Sequence, residues 1–488
     1  MNRTTFVSLL SCFSVLLNAG EILVPAGFET IQAAVDAAQP GEVVLVSPGT
    51  YKERIVMKSQ VTLRSSGVDE KGKLGIKRAE VTIIDGGGSM PGNERAGVTM
   101  AEGSVLDGFT VTNVGKYNDA IWQKDWDEQG ANQSHEDIGL FGTPGIAVSG
   151  VSCSIRNCIV HHVGGTGIAM RSDDGKSCHP LVSKNICYRN MGGGIGSMNG
   201  AGGIIDSNVC FENWYAGIGH DNASPMVIRN ECYNNIRAGI GISEGSCPLV
   251  RDNRCYKNRK AGIGIRTGSA TQPVVENNEC FENEMAGIGV DEEAEPIIRN
   301  NHCHHNKLAG IGSRSGAKPV LLGNKCEENK ASGIGVSNGA DAILIGNKCE
   351  RNLTSGIGVS NGADAILIGN KCVENKLVAI GIPGKSHAIL IRNELIRTEG
   401  MPPIVAVLEG SSSTLIENKI TGGGISGVMI FGSATLIENT IEGKPAGKSS
   451  GIFIQKTGRA TTFGNVFEDI GNIVRNAGEW NDLDSKKK

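Results

Sequence analysis

A Gly-Ile-Gly tripeptide that returns about every 23 residues restricts the fold of this 488-residue chain more than any other feature. Its first glycine falls at Gly194, Gly217, Gly239, Gly262, Gly287, Gly310, Gly333 and Gly356, with successive spacings of 23, 22, 23, 25, 23, 23 and 23. Degenerate copies reach back through Gly167 and Gly145 and forward to Ala379. Ser332 to Cys349 is identical to Ser355 to Cys372 over 18 residues. A fixed period of this length marks a repeat architecture in which no unit buries its apolar face alone. Within a unit, apolar and polar residues alternate at the strand period of two, and no 3.6-residue pattern is visible. Short strands and Asn/Gly turns at this period predict three strands per coil. The chain is therefore expected to be all-β, a parallel β-helix of about 15 to 18 coils forming a rod on the order of 80 Å long at a strand spacing of ~4.8 Å.

Two ladders support the stacking. One cysteine per coil recurs at Cys187, Cys210, Cys232, Cys255, Cys280, Cys303, Cys326, Cys349 and Cys372, and an asparagine precedes each by two residues, from Asn185 to Asn370. A second series, Asn190, Asn213, Asn235, Asn258, Asn283, Asn306, Asn329, Asn352 and Asn375, marks a turn. Asparagine tolerates left-handed backbone, and its amide can bond an identical amide one coil away. The ladder cysteines should point the same way, one per layer, so that their sulfurs stand about one strand spacing apart (~4.8 Å), whereas a disulfide needs about 2.05 Å. They read as small buried hydrophobes in a free-thiol stack. The state of Cys153, Cys158, Cys178 and Cys247, which lie off the ladder, is left open.

Residues 1–19 read as a secretion signal. Arg3 supplies the positive start, Phe6 to Leu17 is mostly apolar, and Asn18-Ala19-Gly20 offers small residues for cleavage. The apolar run is short for a bilayer span, and no other segment qualifies. The expected organisation is one β-helix domain over 20–475, with an N-terminal cap at 20–42, a loop insertion at 114–144 and a polar tail at 476–488. Phe28 to Ala38 fits an amphipathic capping helix over the first strand edge, which an open β-helix would otherwise expose. The expected location is secreted, periplasmic or at the cell surface. A net charge of −4 without a basic stripe argues against nucleic acid as a partner.

The run from Ile31 to Met57 (IQAAVDAAQPGEVVLVSPGTYKERIVM) resembles the cap and first coil of the pectin-lyase-like superfamily of right-handed parallel β-helices. The later coils resemble generic β-helix repeats of periplasmic copper-maturation (NosD-like) proteins and of carbohydrate-binding and sugar-hydrolase modules. The resemblance implies the fold. It leaves the activity open, because lyases, hydrolases, esterases, epimerases and non-catalytic binders share this scaffold. Gly49-Thr50-Tyr51-Lys52-Glu53 is similar to an opening motif of pectin esterases, whose downstream Asp and Arg motifs are not found here. Ser172-Asp173-Asp174-Gly175 and Gly219-His220-Asp221 are similar to pieces of polygalacturonase motifs. In that family the pieces lie about one coil apart; here they are about two coils apart.

Function is expected where the repeat deviates. The insertion between Asn113 and Gly145 contains Trp122 and Trp126, two of the four tryptophans. Between Gly167 and Gly194 the spacing widens to 27 around Arg171, Asp173 and Asp174. Both deviations flank Gly-Ile-Gly-type strands, so they should wall one groove. If the Ile and the residue after the second Gly point inward, the next residue points out, which sets Arg171, Asp221, Arg266, Asp291 and Arg314 in one column. Acids alternating with cations suit a hydroxyl-rich or acidic polysaccharide. The candidate catalytic residues are Arg171, Asp173, Asp174, His220 and Asp221. The candidate substrate-binding residues are Trp122 and Trp126, by stacking on sugars, with His162 and Arg266. Ca²⁺ is the candidate ion for the aspartates. The regular coils from Gly287 to Cys372 read as spacer or as a smooth binding face. His302 and His304 should project together as imidazoles suited to copper or zinc, although Lys and Glu at the equivalent places in adjacent coils favour a solvated face. The leading expectation is a polysaccharide-binding protein, with lyase, hydrolase or epimerase activity on acidic glycans as its catalytic form. The alternatives are a non-catalytic adhesion scaffold and a metal-maturation accessory.

Overall fold

The computed structural model describes residues 20–485 apart from 91, 93, 132, 134–141, 174 and 444–448. The expected secretion signal, Asp174 and the end of the tail lie outside the described residues. Each coil adds one strand to each of three parallel sheets, as Ile195–Met198, Ile204–Asp206 and Val209–Phe211 do. We call these the glycine, aliphatic and cysteine sheets. Among the described residues they hold 17, 19 and 17 strands. The stack thus has about 19 turns, slightly more than the period suggested. Two strands explain the difference. Glu21–Val24, inside the expected cap, pairs with Val43–Val46, and Glu479–Asp482, inside the expected tail, pairs with Arg459–Thr462.

Register is exact along the repeat, with Ile218 against Ile240 in the glycine sheet and Cys210 against Cys232 in the cysteine sheet. Inward side chains merge into one continuous core. All nine ladder cysteines are fully buried, and all are free thiols. Val160 precedes Cys187 in this column and Leu395 follows Cys372, so cysteine fills a place that other coils give to an aliphatic residue. Cys153, Cys158 and Cys178 are also buried free thiols, and Cys247 is an exposed one.

The asparagine ladders close their own hydrogen bonds. Asn278 Nδ2 donates to Asn301 Oδ1 at 3.0 Å and to Val250 O at 3.0 Å, while Asn278 N donates to the same Asn301 Oδ1 at 2.9 Å. A buried amide satisfied in this way avoids the cost of an orphaned polar group. This ladder continues past Asn370 through Asn393, Asn418 and Asn439 to Asn465. The left-handed backbone expected at the turn asparagines falls instead on the residue before each, as at Glu282 (φ 53°), His305 (55°) and Glu328 (53°).

At the N-terminus, α1 (Ile31–Ala37) buries Ile31, Ala34 and Val35 against the first coils, and the Thr30 side chain caps it by accepting from Ala33 N at 3.2 Å. Two further helices are insertions, α2 (Lys77–Val81) and α3 (Asp119–Asp127). Among the described residues no helix is long and apolar enough to cross a membrane.

Candidate functional site

In the glycine sheet the strand Ile218–Asp221 alternates, with Ile218 and His220 buried and Gly219 and Asp221 facing outward. The two glycines of the motif therefore do different work. At Gly262 an added Cβ would stand 2.7 Å from Gly287 O, 2.8 Å from Asn283 Nδ2 and 3.1 Å from Cys280 Cβ, so the inward glycine makes room for the ladders. At Gly264 the nearest neighbour would be Ala238 Cβ at 3.6 Å, and at Gly219 nothing lies within 4 Å. Glycine in a strand forgoes side-chain packing and costs backbone entropy. A row of outward glycines with no steric need leaves a trough.

That trough is a cavity of about 600 Å³ lined by residues from Thr166 to Ser337. Its floor is Gly219, Gly241, Gly264, Gly289 and Gly312 with a neighbouring alanine row. One wall holds Tyr215, Arg237, Lys260, Met285 and Leu308; the other holds Asp221, Ser243, Arg266, Asp291 and Arg314. Arg314 is neutralised by Asp291 at 2.6 Å. Among the described residues, Arg237, Lys260 and Arg266 have no ion-pair partner. Arg237 Nη1 reaches only the carbonyl of Gln133, at 3.5 Å, and Arg266 Nη2 is buried without a hydrogen bond. Burial pushes the pKa of all three cations down, and Arg237 adds to the effect on Lys260. Burial and the charge of Glu244 push the Asp221 carboxyl above its usual range. The centre of the trough is thus a partly desolvated, positively charged surface with one poised acid.

The expected column is present: Arg171 pairs with Met198, Met198 with Asp221 and Asp221 with Ser243, and the series runs on through Arg266, Asp291 and Arg314. Asp221 and Arg266 stand in the trough. His220 borders it from the core side, Arg171 and Asp173 lie outside it, and Asp174 lies outside the described residues. Arg171 Nε donates to Ser149 Oγ at 3.2 Å, and that hydroxyl donates to Asp173 Oδ2 at 3.2 Å, an exposed link outside the cavity walls. The pleat turns the expected catalytic His220 inward. Its ring points into the core, Nδ1 meets Ser197 Oγ at 2.6 Å, and burial pushes its pKa down to about 3.

Trp122 is 2 % exposed, its ring lies between Trp126, at 5.2 Å, and the Arg189 guanidinium, at 3.9 Å, and its Nε1 donates to Glu212 O. Trp126 also carries Arg259 at 4.0 Å. These rings bolt α3 to the rod, leaving no free face for a sugar. His162 sits at a left-handed turn (φ 53°) one residue before the ladder position, with Tyr117 at 4.6 Å, away from the trough. Asp221 and Asp291 are separated by three coil rises, about 14 Å, too far to share one Ca²⁺. Arg237 and Lys260 were missed. Their signal was a cation two residues before the motif in successive coils, where neighbours carry Tyr215, Met285 and Leu308.

Comparison with known proteins bears on the fold. An A-module of a mannuronan C-5 epimerase (AlgE6) from Azotobacter vinelandii is 17 % identical over 78 % of this chain and 94 % of its own, with a TM-score of 0.49. A periplasmic alginate epimerase (AlgG) is 14 % identical over 78 % and 84 %, with a TM-score of 0.43. A GH87 α-1,3-glucanase catalytic unit from Streptomyces thermodiastaticus is 14 % identical over 94 % and 70 %, with a TM-score of 0.31. No curated protein sequence matches the chain. The family model described as a right handed beta helix region matches residues 141–278 and 264–397. With three in-register parallel sheets wound through that stretch, the chain belongs to the right-handed β-helix family.

Proposed function

We propose that the glycine-floored trough binds a linear acidic polysaccharide, with Arg237, Lys260 and Arg266 neutralising its carboxylates and Asp221 exchanging a proton with the bound chain. The observation that carries this reading is the set of three unpaired cations on both walls of an open apolar floor. Such a floor accepts the C–H faces of a sugar chain, and desolvated cations recognise anions more strongly than cations in bulk water. Burial and the charge of Glu244 raise the Asp221 carboxyl above its usual range, which favours its holding a proton. A proton exchanged at Asp221 would serve elimination, epimerisation or hydrolysis on a uronate chain.

A calorimetric titration with defined polyuronate oligomers, paired with product analysis with and without Ca²⁺, tests both halves. The Arg237→Ala/Arg266→Ala variant should bind at least about 100-fold more weakly, since each of the two charge-assisted contacts contributes roughly 1.5–3 kcal/mol. The loss should shrink at high salt, and neutral glycans should be unaffected. Equal binding by the variant would remove the trough from acidic-glycan recognition. Binding without unsaturated, epimerised or shortened product would remove the chemistry and keep the lectin.

One observation favours a second reading, a non-catalytic rod. The aliphatic sheet carries a column of outward residues including Ile204, Met226, Ile297, Ile343 and Ile366, each between 36 % and 41 % exposed. A rod that binds through this face would leave polyuronate binding absent altogether. For the metal-accessory alternative, the only imidazole bordering the trough among the described residues is the buried His220.

A further inference from the structure

The strand His302–His304 of the cysteine sheet projects two imidazoles outward around the buried Cys303. Glu279 lies directly beside His302 in the preceding coil. A ligand atom from each of Glu279, His302 and His304 lies within 4.8 Å of the other two, the one such group among the described residues. The two rings approach to 4.4 Å. We propose that Glu279, His302 and His304 form a site for a divalent transition-metal ion of the zinc class, on a different sheet from the trough.

The hydrogen bonds around the cluster determine which lone pairs are free. His302 Nε2 lies 2.7 Å from Glu327 Oε1. An ionised carboxylate only accepts, so Nε2 carries the hydrogen and the lone pair of Nδ1 is left to bind. Lys325 and Arg351 also pair with the Glu327 carboxylate. His305 Nε2 lies 2.9 Å from Glu328 Oε2 and likewise carries its hydrogen. With neutral imidazoles, His305 Nδ1 is therefore an acceptor. His304 Nδ1, 2.8 Å away, must be the donor to it.

The remaining nitrogen, His304 Nε2, then points a lone pair at Glu279 Oε1 from 3.4 Å. Two acceptors facing each other repel unless a cation sits between them. The separation is long for a hydrogen bond. It matches the edge of a tetrahedron whose bonds to metal are about 2.0–2.1 Å, which is about 3.4 Å. Arg254 Nε holds the other Glu279 oxygen at 2.8 Å and so aims Oε1 at the cluster. The arrangement is two nitrogens and one oxygen with an open fourth position. Glu327 orients His302 from behind, as carboxylates do for zinc-binding histidines.

The test is titration of the full chain, without an affinity tag, with Zn²⁺ by calorimetry and with Co²⁺ by visible absorption. The expected result is one ion per chain, the absorption of four-coordinate Co²⁺, and a Zn²⁺-dependent rise in melting temperature. The His302→Ala/His304→Ala variant should lose all three. Glu327→Gln should weaken binding 10- to 100-fold. Glu350→Gln, at the same place one coil on and paired with Lys348, should bind as the wild type does. No Zn²⁺ uptake, or equal uptake by the double-histidine variant, overturns the proposal and leaves a proton as the cation between His304 and Glu279.

Discussion

Gly262→Ala should lower the stability of the rod by about 3 kcal/mol, whereas Gly264→Ala, two residues on, should change it by less than about 1 kcal/mol. The new methyl at position 262 would press on the carbonyl of Gly287, which accepts from Ile263 N, and on the ladder amide of Asn283, which is bonded to Asn306 in the next coil. Neither can retreat without breaking the stack, and close-packed interiors tolerate added volume poorly. At position 264 the methyl would enter open space above Ala238 and reduce the entropy of the unfolded chain. Urea unfolding of the two variants measures the contrast. Equal midpoints would show that the inward glycine is not sterically required. The same geometry separates fold from function: Gly264→Tyr should fill the trough floor, keep the wild-type circular dichroism and lose polyuronate binding.

The period, the three strands per coil, the thiol stack and the asparagine bonds were all legible, because each follows from what stands above and below it in an identical coil. Legibility fell at the ends, where pairing replaces repetition. Glu21–Val24 and Glu479–Asp482 carry no Gly-Ile-Gly or cysteine, and they join the aliphatic sheet through backbone bonds that many sequences can make. The left-handed turn position was misassigned by one residue. Asparagine signals such backbone statistically, but here its amide is used in the ladder, and Glu282 or His305 takes the strain instead.

The site was legible in orientation and misplaced along the axis. The pleat put Asp221, Arg266, Asp291 and Arg314 on one wall, as alternation requires. The irregular segments, where function was expected, are tied into the scaffold by their own side chains. Trp122 and Trp126 are consumed by Arg189, Arg259 and each other, while Trp214 Nε1 donates to Asp125 Oδ2 at 2.5 Å. Whether a tryptophan faces solvent or anchors a loop depends on contacts about 90 residues away in sequence, which no local pattern encodes. The trough lies along the regular coils because its defining feature is the absence of side chains. Its cations are single-residue departures in a column, Arg237 and Lys260, visible only once the coils are aligned on the inward glycine.

Asp107→Ala should cost about 3 kcal/mol, because it leaves the buried Arg78 guanidinium with only the more exposed Asp69 as counter-ion. Arg78 and Asp107 are each 3 % exposed. Arg78 Nη2 donates to Asp107 Oδ1 at 2.5 Å, Nη1 donates to Asp107 O and Ser65 Oγ, and Asn157 and Arg156 add bonds to the same carboxylate at 2.9 and 3.1 Å. This cluster ties three successive coils together where the asparagine ladder has not begun. Asn185 Oδ1 accepts from Cys158 N, and its amide goes to Ile155 O, so the column ends at a cysteine. The charged cluster replaces the amides as the polar tie of the N-terminal coils, and α2 supplies its cation. Burial pushes the Asp107 carboxyl up, but the bonds and charges from Asn157 and Arg78 outweigh it and hold the pKa below the usual range. A carboxyl depressed in the folded state contributes stability above its unfolded pKa, about 3.9, and loses it as pH falls through the folded value. The urea midpoint of Asp107→Asn should therefore lie well below the wild type at pH 7, and the gap should narrow below about pH 4. A gap that stays constant with pH would mean that shape, not charge, holds these coils. The Arg78→Met/Asp107→Leu pair should recover most of the loss, since apolar replacement of both partners leaves no stranded charge.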